Sequence, residues 1–206
     1  MPGTFLERLT TGYFVRAMPF FDQSPPVVVP RHDEPQLFAE CPERAYQMTP
    51  NVPPSGMPGT PDAAFIAGTS GNPERDFTWL PYVAGKITYA RVGTKPILTG
   101  KMSGCWLVLF RIRGQLCFGH IGTDSNNRNV TEDVKNAWKV AIGRGLIQPV
   151  RAMNPAAEVG PSLNVFGALG AGQQFQAISC DPGKNAVDLI VRRVKLVQGV
   201  PNPQFA

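Results

Sequence analysis

The chain has 206 residues, of which 43% are hydrophobic and 17% are charged, and its formal net charge is +5 at pH 7. This length and apolar fraction suffice for one domain with a buried core. The 21 glycines and 21 prolines exclude a helical bundle or coiled coil, because both residues break helices, and they favour a turn-rich protein dominated by strands.

The N-terminal part predicts little regular structure. A short amphipathic helix is expected around 5–15, interrupted by Gly12, and the same region lacks the compact apolar run of a classical signal peptide. Residues 19–61 contain 11 prolines, so this segment is expected to be extended, with an edge strand at Val27–Val29. Its apolar side chains favour wrapping around a single domain that spans residues 1–206.

Strand patterns begin at Phe77. Phe77–Val83, Lys86–Val92 and Pro96–Thr99 are strand candidates, and two apolar runs then flank Arg113-Gly114, which predicts a β-hairpin. The first run of the hairpin is apolar at successive positions, so its strand should be central and covered on both faces.

One helix has a clear sequence pattern. Its apolar stripe is made by Val130, Val134, Ala137, Trp138, Ala141 and Ile142, which follow the 3–4 spacing of a buried helix face. Asn129 is the predicted N-cap, and Gly143 or Gly145 the predicted end. Further strands are expected at Leu163–Phe166, Phe175–Ser179 and Ala186–Val197.

The distribution of charged, apolar and cysteine residues argues against nucleic acid, a membrane span and a metal as partners of this chain. No run of Lys or Arg exceeds two residues, so a solvated basic surface is favoured over a nucleic-acid-binding stripe. No stretch of 18 apolar residues predicts a transmembrane helix. The wide spacing of Cys41, Cys105, Cys117 and Cys180 predicts neither a disulfide framework nor a paired zinc motif, so we expect no metal and no cofactor.

The predicted hairpin brings a thiol close to an imidazole. With a two-residue turn, Leu107 faces His120 and Phe110 faces Cys117, and Cys105 lies two residues from Leu107 on the same face. Cys105 and His120 then become diagonal neighbours, whose backbones lie roughly 7–8 Å apart. His32, the other histidine, stands in the proline-rich segment and is interpreted as an exposed loop residue.

Such a pair has a recognised chemistry. A neighbouring imidazole lowers the pKa of a thiol and serves as general acid for the leaving group. The glycines of Thr99-Gly-Lys-Met-Ser-Gly-Cys105 allow a tight turn that aims the backbone N–H groups of Gly104 and Cys105 at an oxyanion. Thr99 offers a hydroxyl and a carbonyl that could orient the histidine. Buried cysteines are more often packing residues, and Cys117 and Cys180 keep that interpretation.

These residues resemble a known family. Met102-Ser103-Gly104-Cys105, an apolar strand, a glycine turn and a histidine 15 residues after the cysteine resemble the cysteine–histidine glutamine deamidases, which include cytotoxic necrotizing factor, Burkholderia lethal factor and the chemoreceptor deamidase CheD. Thr99 stands six residues before the cysteine, as a threonine does in two of these. The resemblance covers about 22 residues, Thr99 to His120.

The resemblance implies an α+β fold, with a β-sandwich-like core of mostly antiparallel strands and flanking helices. It implies a catalytic domain in which Cys105 attacks the side-chain amide of a glutamine in a target protein and His120 protonates the leaving ammonia. Thr99 would orient the histidine, with Ser103 and Gly104 in the oxyanion turn. If an amine replaced water, the same site would perform transglutamination.

The resemblance further implies a bacterial toxin or effector, secreted or injected, that acts in a host cytoplasm on a GTPase or a translation or helicase-type factor. Two alternatives stay open. One is a cysteine peptidase or amidase, because Cys105-Trp106 resembles the Cys-Trp step of papain-like enzymes, although six strand formers follow it here. The chain could instead be a non-enzymatic binding or assembly protein with a structural Cys105.

Overall fold

The fold is known from a computed structural model that describes residues 14–16, 35–42, 45–50, 62–67, 76–160, 164–170, 172–182 and 188–205. These residues form two mostly antiparallel sheets with few helices, an α+β architecture as the resemblance implied. No helix among them is long and apolar enough to cross a membrane.

The larger sheet has eight strands and closes on itself. Its strands, in spatial order, are β1 (Phe14–Arg16), β13 (Asp188–Val197), β12 (Phe175–Pro182), β11 (Asn164–Leu169), β7 (Ile97–Met102), β5 (Asp76–Leu80), β3 (Ala45–Pro50) and β4 (Asp62–Ala67). The closing pair β1–β4 and the pair β5–β7 are parallel, and the other pairs are antiparallel.

The second sheet is open and has five strands. Their order is β10 (Ile147–Met153), β8 (Trp106–Ile112), β9 (Gln115–Ile121), β6 (Ile87–Arg91) and β2 (Phe38–Glu40). Two helices complete the described fold, α1 (Arg128–Gly143) and α2 (Pro155–Val159).

The core has three apolar layers, because alternate side chains of each strand point to opposite faces. One layer fills the interior of the closed sheet. The second lies between the two sheets, where Leu107 and Leu109 of β8 meet Val165 and Leu169 of β11. The third joins Val108 and other residues of the open sheet to α1. The prediction that β8 is central and covered on both faces is confirmed.

The hairpin prediction is also confirmed. Strands β8 and β9 are antiparallel, with Leu107 opposite His120 and Phe110 opposite Cys117. Arg113 and Gly114 have φ values of 51° and 75°, as a type I′ turn requires, and this turn matches the twist of the two strands. The predicted register of β8 against β9 is therefore correct.

Helix α1 follows its predicted apolar stripe and ends at Gly143, but its N-cap prediction was wrong. Asn127 is the N-cap, and its side chain accepts a hydrogen bond from the Val130 backbone N–H. Asn129 lies inside the first turn. The helix begins earlier because Thr131 exchanges two hydrogen bonds with the backbone of Asp124, which anchors the start of the helix to the preceding loop.

The predicted N-terminal helix is wrong where the structure describes it, and other predictions for this part of the chain lie outside the described residues. The end of the predicted 5–15 helix falls on β1, where Phe14–Arg16 pair with β13 and β4 as a strand. The rest of that helix and the strand at Val27–Val29 lie outside the described residues. Within 19–61, residues 35–42 and 45–50 are described, and they contribute β2 and β3.

Gly167 sets the distance between the two sheets at β11. A Cβ at this position would collide with Leu107 Cδ1 and come within 3.1 Å of Met153 Cε. We therefore expect Gly167→Ala to lower the free energy of unfolding by about 1–3 kcal/mol through overpacking, measured by urea denaturation. Gly143→Ala is the control, because a Cβ there meets nothing within 4 Å. Equal stability of the two variants would contradict this account of the packing.

Candidate active site

Thr99 and His120 meet in the layer between the sheets. Residues alternate along β7, so that Leu98 packs inside the closed sheet while Ile97 and Thr99 face outwards to the open sheet. His120 of β9 faces Thr99, and Thr99 Oγ1 lies 2.8 Å from His120 Nδ1. Both residues are 0% exposed. This part of the predicted triad is therefore assembled.

The hydrogen bond orients the imidazole and leaves its other nitrogen without a partner. His120 Nε2 is buried and accepts or donates no hydrogen bond within the described structure. The ring of Tyr82 lies against the imidazole, with 5.3 Å between the ring centroids. Burial lowers the pKa of His120 to about 3, because an apolar environment disfavours the charged form. The imidazole is therefore neutral at physiological pH.

Cys105 lies immediately before β8 rather than within it, and it is 3% exposed. Its thiol contacts Thr123, which follows β9: Sγ lies 3.7 Å from the Thr123 carbonyl oxygen, and the Thr123 hydroxyl donates to Sγ over 3.5 Å. Thr123 therefore holds the sulfur from two directions.

The expected lowering of the Cys105 pKa is not found in this conformation. Burial raises the pKa of the thiol, while hydrogen bonds from the Thr123 side chain and from the backbones of Thr123 and Gly104 lower it less strongly. No hydrogen bond joins Cys105 Sγ to His120 among the described residues. The thiol stays protonated because a thiolate needs either solvent or a cation, and the buried neutral imidazole supplies neither.

Tyr82 contacts both His120 and Thr123, the residue that contacts the Cys105 thiol. Its ring contacts His120, its hydroxyl donates to the Thr123 carbonyl oxygen over 2.9 Å, and it lines a pocket together with Cys105. Its pKa is raised to about 12, first by burial and then by the neighbouring Cys105 and Asp124. Tyr82 therefore stays protonated and can act as a hydrogen-bond donor.

The thiol adjoins a pocket of about 270 Å³. The pocket is lined by Tyr82, Lys101, Met102, Ser103, Cys105, Thr123, Asp124, Ser125 and Asn126. His120 is not among these lining residues. Polar side chains predominate, so the pocket suits a small polar group rather than an apolar one.

The glycines before Cys105 have different roles. Gly100 has a φ of +153°, and a Cβ there would lie 2.5 Å from Phe166 Cδ1, so only glycine fits. Gly104 is exposed, and a Cβ there would meet nothing within 4 Å. Packing therefore gives no reason for glycine at position 104, whereas close approach of a ligand to the backbone would give one.

The sequence prediction missed Tyr82, Thr123 and Asp124. A signal for Thr123 and Asp124 did exist, because Gly122-Thr-Asp follows the histidine strand directly and begins the loop that leads into α1. Tyr82 had none, because it lies in the link between strands of different sheets. Cys117 and Cys180 are buried, and burial raises the pKa of each to about 12.

Comparison of the chain with protein-family models, curated proteins and solved structures finds no match. Among the described residues, no group of three His, Cys, Asp or Glu side chains is placed to hold a metal ion.

The burial of His120 predicts a specific loss of stability in acid. Its pKa is about 3 in the folded protein, against 6.5 ordinarily, so below pH 6.5 only the unfolded chain takes up this proton. From this group the free energy of unfolding should fall by about 1.4 kcal/mol per pH unit between roughly pH 6 and 4, and it should be constant above pH 7.

Urea denaturation from pH 7 to pH 4 gives the free energy of unfolding of the native protein and of His120→Gln. The contribution of His120 is the difference between the slopes of these two free energies against pH. Other titrating groups cancel in that difference. Parallel curves would contradict the prediction. If His120→Gln does not fold, NMR titration of the native protein measures the protonation of the His120 ring directly, and the ring should stay neutral at pH 5.

Proposed function

We propose that this protein is a cysteine-dependent protein-glutamine deamidase, which hydrolyses the side-chain amide of a glutamine in a target protein to glutamate. The observation that carries the proposal is the Thr99–His120 hydrogen bond, which holds the imidazole with Nε2 unpartnered. Cys105 lies immediately before β8 and its thiol adjoins a polar pocket that Tyr82 also lines, and the Tyr82 ring lies against the His120 imidazole.

In the first half of the reaction, Cys105 Sγ attacks the carboxamide carbon and its proton passes to His120 Nε2. The carbon–nitrogen bond then breaks, the proton moves from Nε2 to the leaving nitrogen, and ammonia departs. A thioester between Cys105 and the glutamine side chain remains. Thr99 keeps the ring oriented throughout, as the third member of a triad does.

In the second half, water attacks the thioester carbonyl while His120 Nε2 takes its proton. The carbon–sulfur bond breaks, the proton returns to the sulfur, and the product is glutamate. The backbone N–H groups of Gly104 and Cys105 and the hydroxyl of Ser103 would donate to the oxyanion of both steps. An amine in place of water would give transglutamination.

The neutral resting state fits a proton transfer that is coupled to attack. Both the thiol and the imidazole are uncharged in the buried site. The site therefore holds no thiolate–imidazolium ion pair before the substrate binds. The Thr123 hydroxyl already donates to Sγ, and this bond strengthens as negative charge develops on the sulfur. The thiol then turns from the Thr123 carbonyl towards Nε2.

The partner of this reaction is a target protein that presents a reactive glutamine. Conversion to glutamate adds one negative charge, which would disable a catalytic glutamine of a GTPase or of a translation or helicase-type factor. Such an activity is that of a bacterial toxin or effector, secreted or injected, in a host cytoplasm.

A second candidate is a non-enzymatic binding or assembly protein. It is favoured by the burial of Cys105, by its raised pKa and by the missing Cys105–His120 hydrogen bond. In that case Thr99 and His120 would serve only to satisfy a buried polar pair. A papain-like peptidase is less well supported, because Cys105 precedes a strand and not a helix.

Incubation of host-cell lysate with the protein tests the proposal by proteomic detection of Gln→Glu mass shifts, together with ammonia release from a mixture of glutamine-containing peptides. We expect shifts that disappear with Cys105→Ser and fall at least 100-fold with His120→Gln. Cys180→Ser is the matched control, since that thiol lies inside the closed sheet, and it should retain activity. If Cys105→Ser and the native protein give identical lysates and neither releases ammonia, the binding-protein candidate is the better one.

A further inference from the structure

Asp124 is the only carboxylate in the lining of the Cys105 pocket as the structure describes it. The loop before α1 fixes its position. Its backbone N–H donates to Thr131 Oγ1 over 2.9 Å, and its carbonyl oxygen accepts from the same hydroxyl over 2.8 Å. The Asn126 backbone N–H donates to Oδ1 over 2.9 Å.

This arrangement commits one carboxylate oxygen and leaves the other available to a ligand. No described residue donates to Asp124 Oδ2. The negative charge acts within the pocket, since Asp124 is one of the causes of the raised Tyr82 pKa. Lys101 contributes a positive charge to the same lining, and no salt bridge joins it to Asp124 in the described structure.

We propose that Asp124 is the specificity-determining residue of this pocket, and that it makes the site accept a neutral primary carboxamide and reject a carboxylate. A carboxamide NH₂ group donates to the carboxylate of Asp124, while a carboxylate in the same place is repelled. The inference rests on the proposed function and deepens it: Asp124 recognises the glutamine side chain and expels the glutamate that the reaction forms.

Two alkylating reagents of equal shape test this selection. Iodoacetamide carries the neutral carboxamide, and iodoacetate carries the carboxylate. Their rates at Cys105 are followed by peptide mass spectrometry at low ionic strength, where charges are least screened, and each rate is divided by that of the same reagent with the unfolded protein. The iodoacetate-to-iodoacetamide ratio is the quantity compared.

We expect native protein to favour iodoacetamide. Asp124→Asn should raise the ratio by roughly threefold to tenfold, and Lys101→Met should lower it, as the Coulomb interaction at pocket distances suggests. Asp133→Asn is the matched control, because it removes one negative charge from an exposed position on α1 outside the pocket. It should leave the ratio as it is in the native chain.

The possible results distinguish failure of the role of Asp124 from failure of the proposed deamidase function. Labelling of Cys105 with a ratio that Asp124→Asn does not change would overturn the role of Asp124 and leave the proposed thiol chemistry intact. If neither reagent labels Cys105 until the protein unfolds, the thiol is inert, and both the proposed function and the inference fail.

Discussion

The hydrogen bond between Thr99 and His120 is the polar contact on which the site depends. It crosses the apolar layer between the closed and the open sheet, and both residues are fully buried. A buried imidazole without this partner would lose a hydrogen bond that water could not replace, at a cost of about 1–3 kcal/mol. The contact therefore constrains β7 and β9 to one relative position. Gly167 permits the sheets to come this close, because any larger residue would meet Leu107.

Burial determines the electrostatics of the same site. It raises the pKa of Cys105 and lowers that of His120, so the resting pair is neutral on both sides. A preformed thiolate–imidazolium pair would react with any small electrophile. In the proposed reaction the neutral pair reacts when a group that fits the pocket beside Tyr82 and Thr123, such as a carboxamide, brings the sulfur and Nε2 together.

Local patterns in the sequence predicted the β8–β9 hairpin and its turn correctly. The Arg113-Gly114 turn and the alternation of β8 and β9 determine the register of the hairpin, in which Leu107 lies opposite His120. From its own polar groups and from the family resemblance, Thr99 is expected to orient the histidine, and Thr99 Oγ1 lies 2.8 Å from His120 Nδ1. These features depend on short stretches of chain or on a motif.

Other features depend on contacts between distant segments and were not predictable in this way. Phe14–Arg16 form a strand only because β4 and β13 flank them. The start of α1 depends on the bonds between Thr131 and Asp124. The raised pKa of Cys105 reflects how deeply two sheets bury it, and strand alternation contains no information about that depth.

Whether Cys105 and His120 react as one unit, as proposed, is measured by the rate of Cys105 alkylation by iodoacetamide from pH 6 to pH 10. We expect a component of the rate at pH 6–8, well below the raised pKa of the thiol, that His120→Gln abolishes. Cys117, which is buried, serves as the internal reference for global unfolding and should stay unlabelled. A rate that rises only with the titration of the thiol, with the same profile in the native protein and in His120→Gln, would contradict the account.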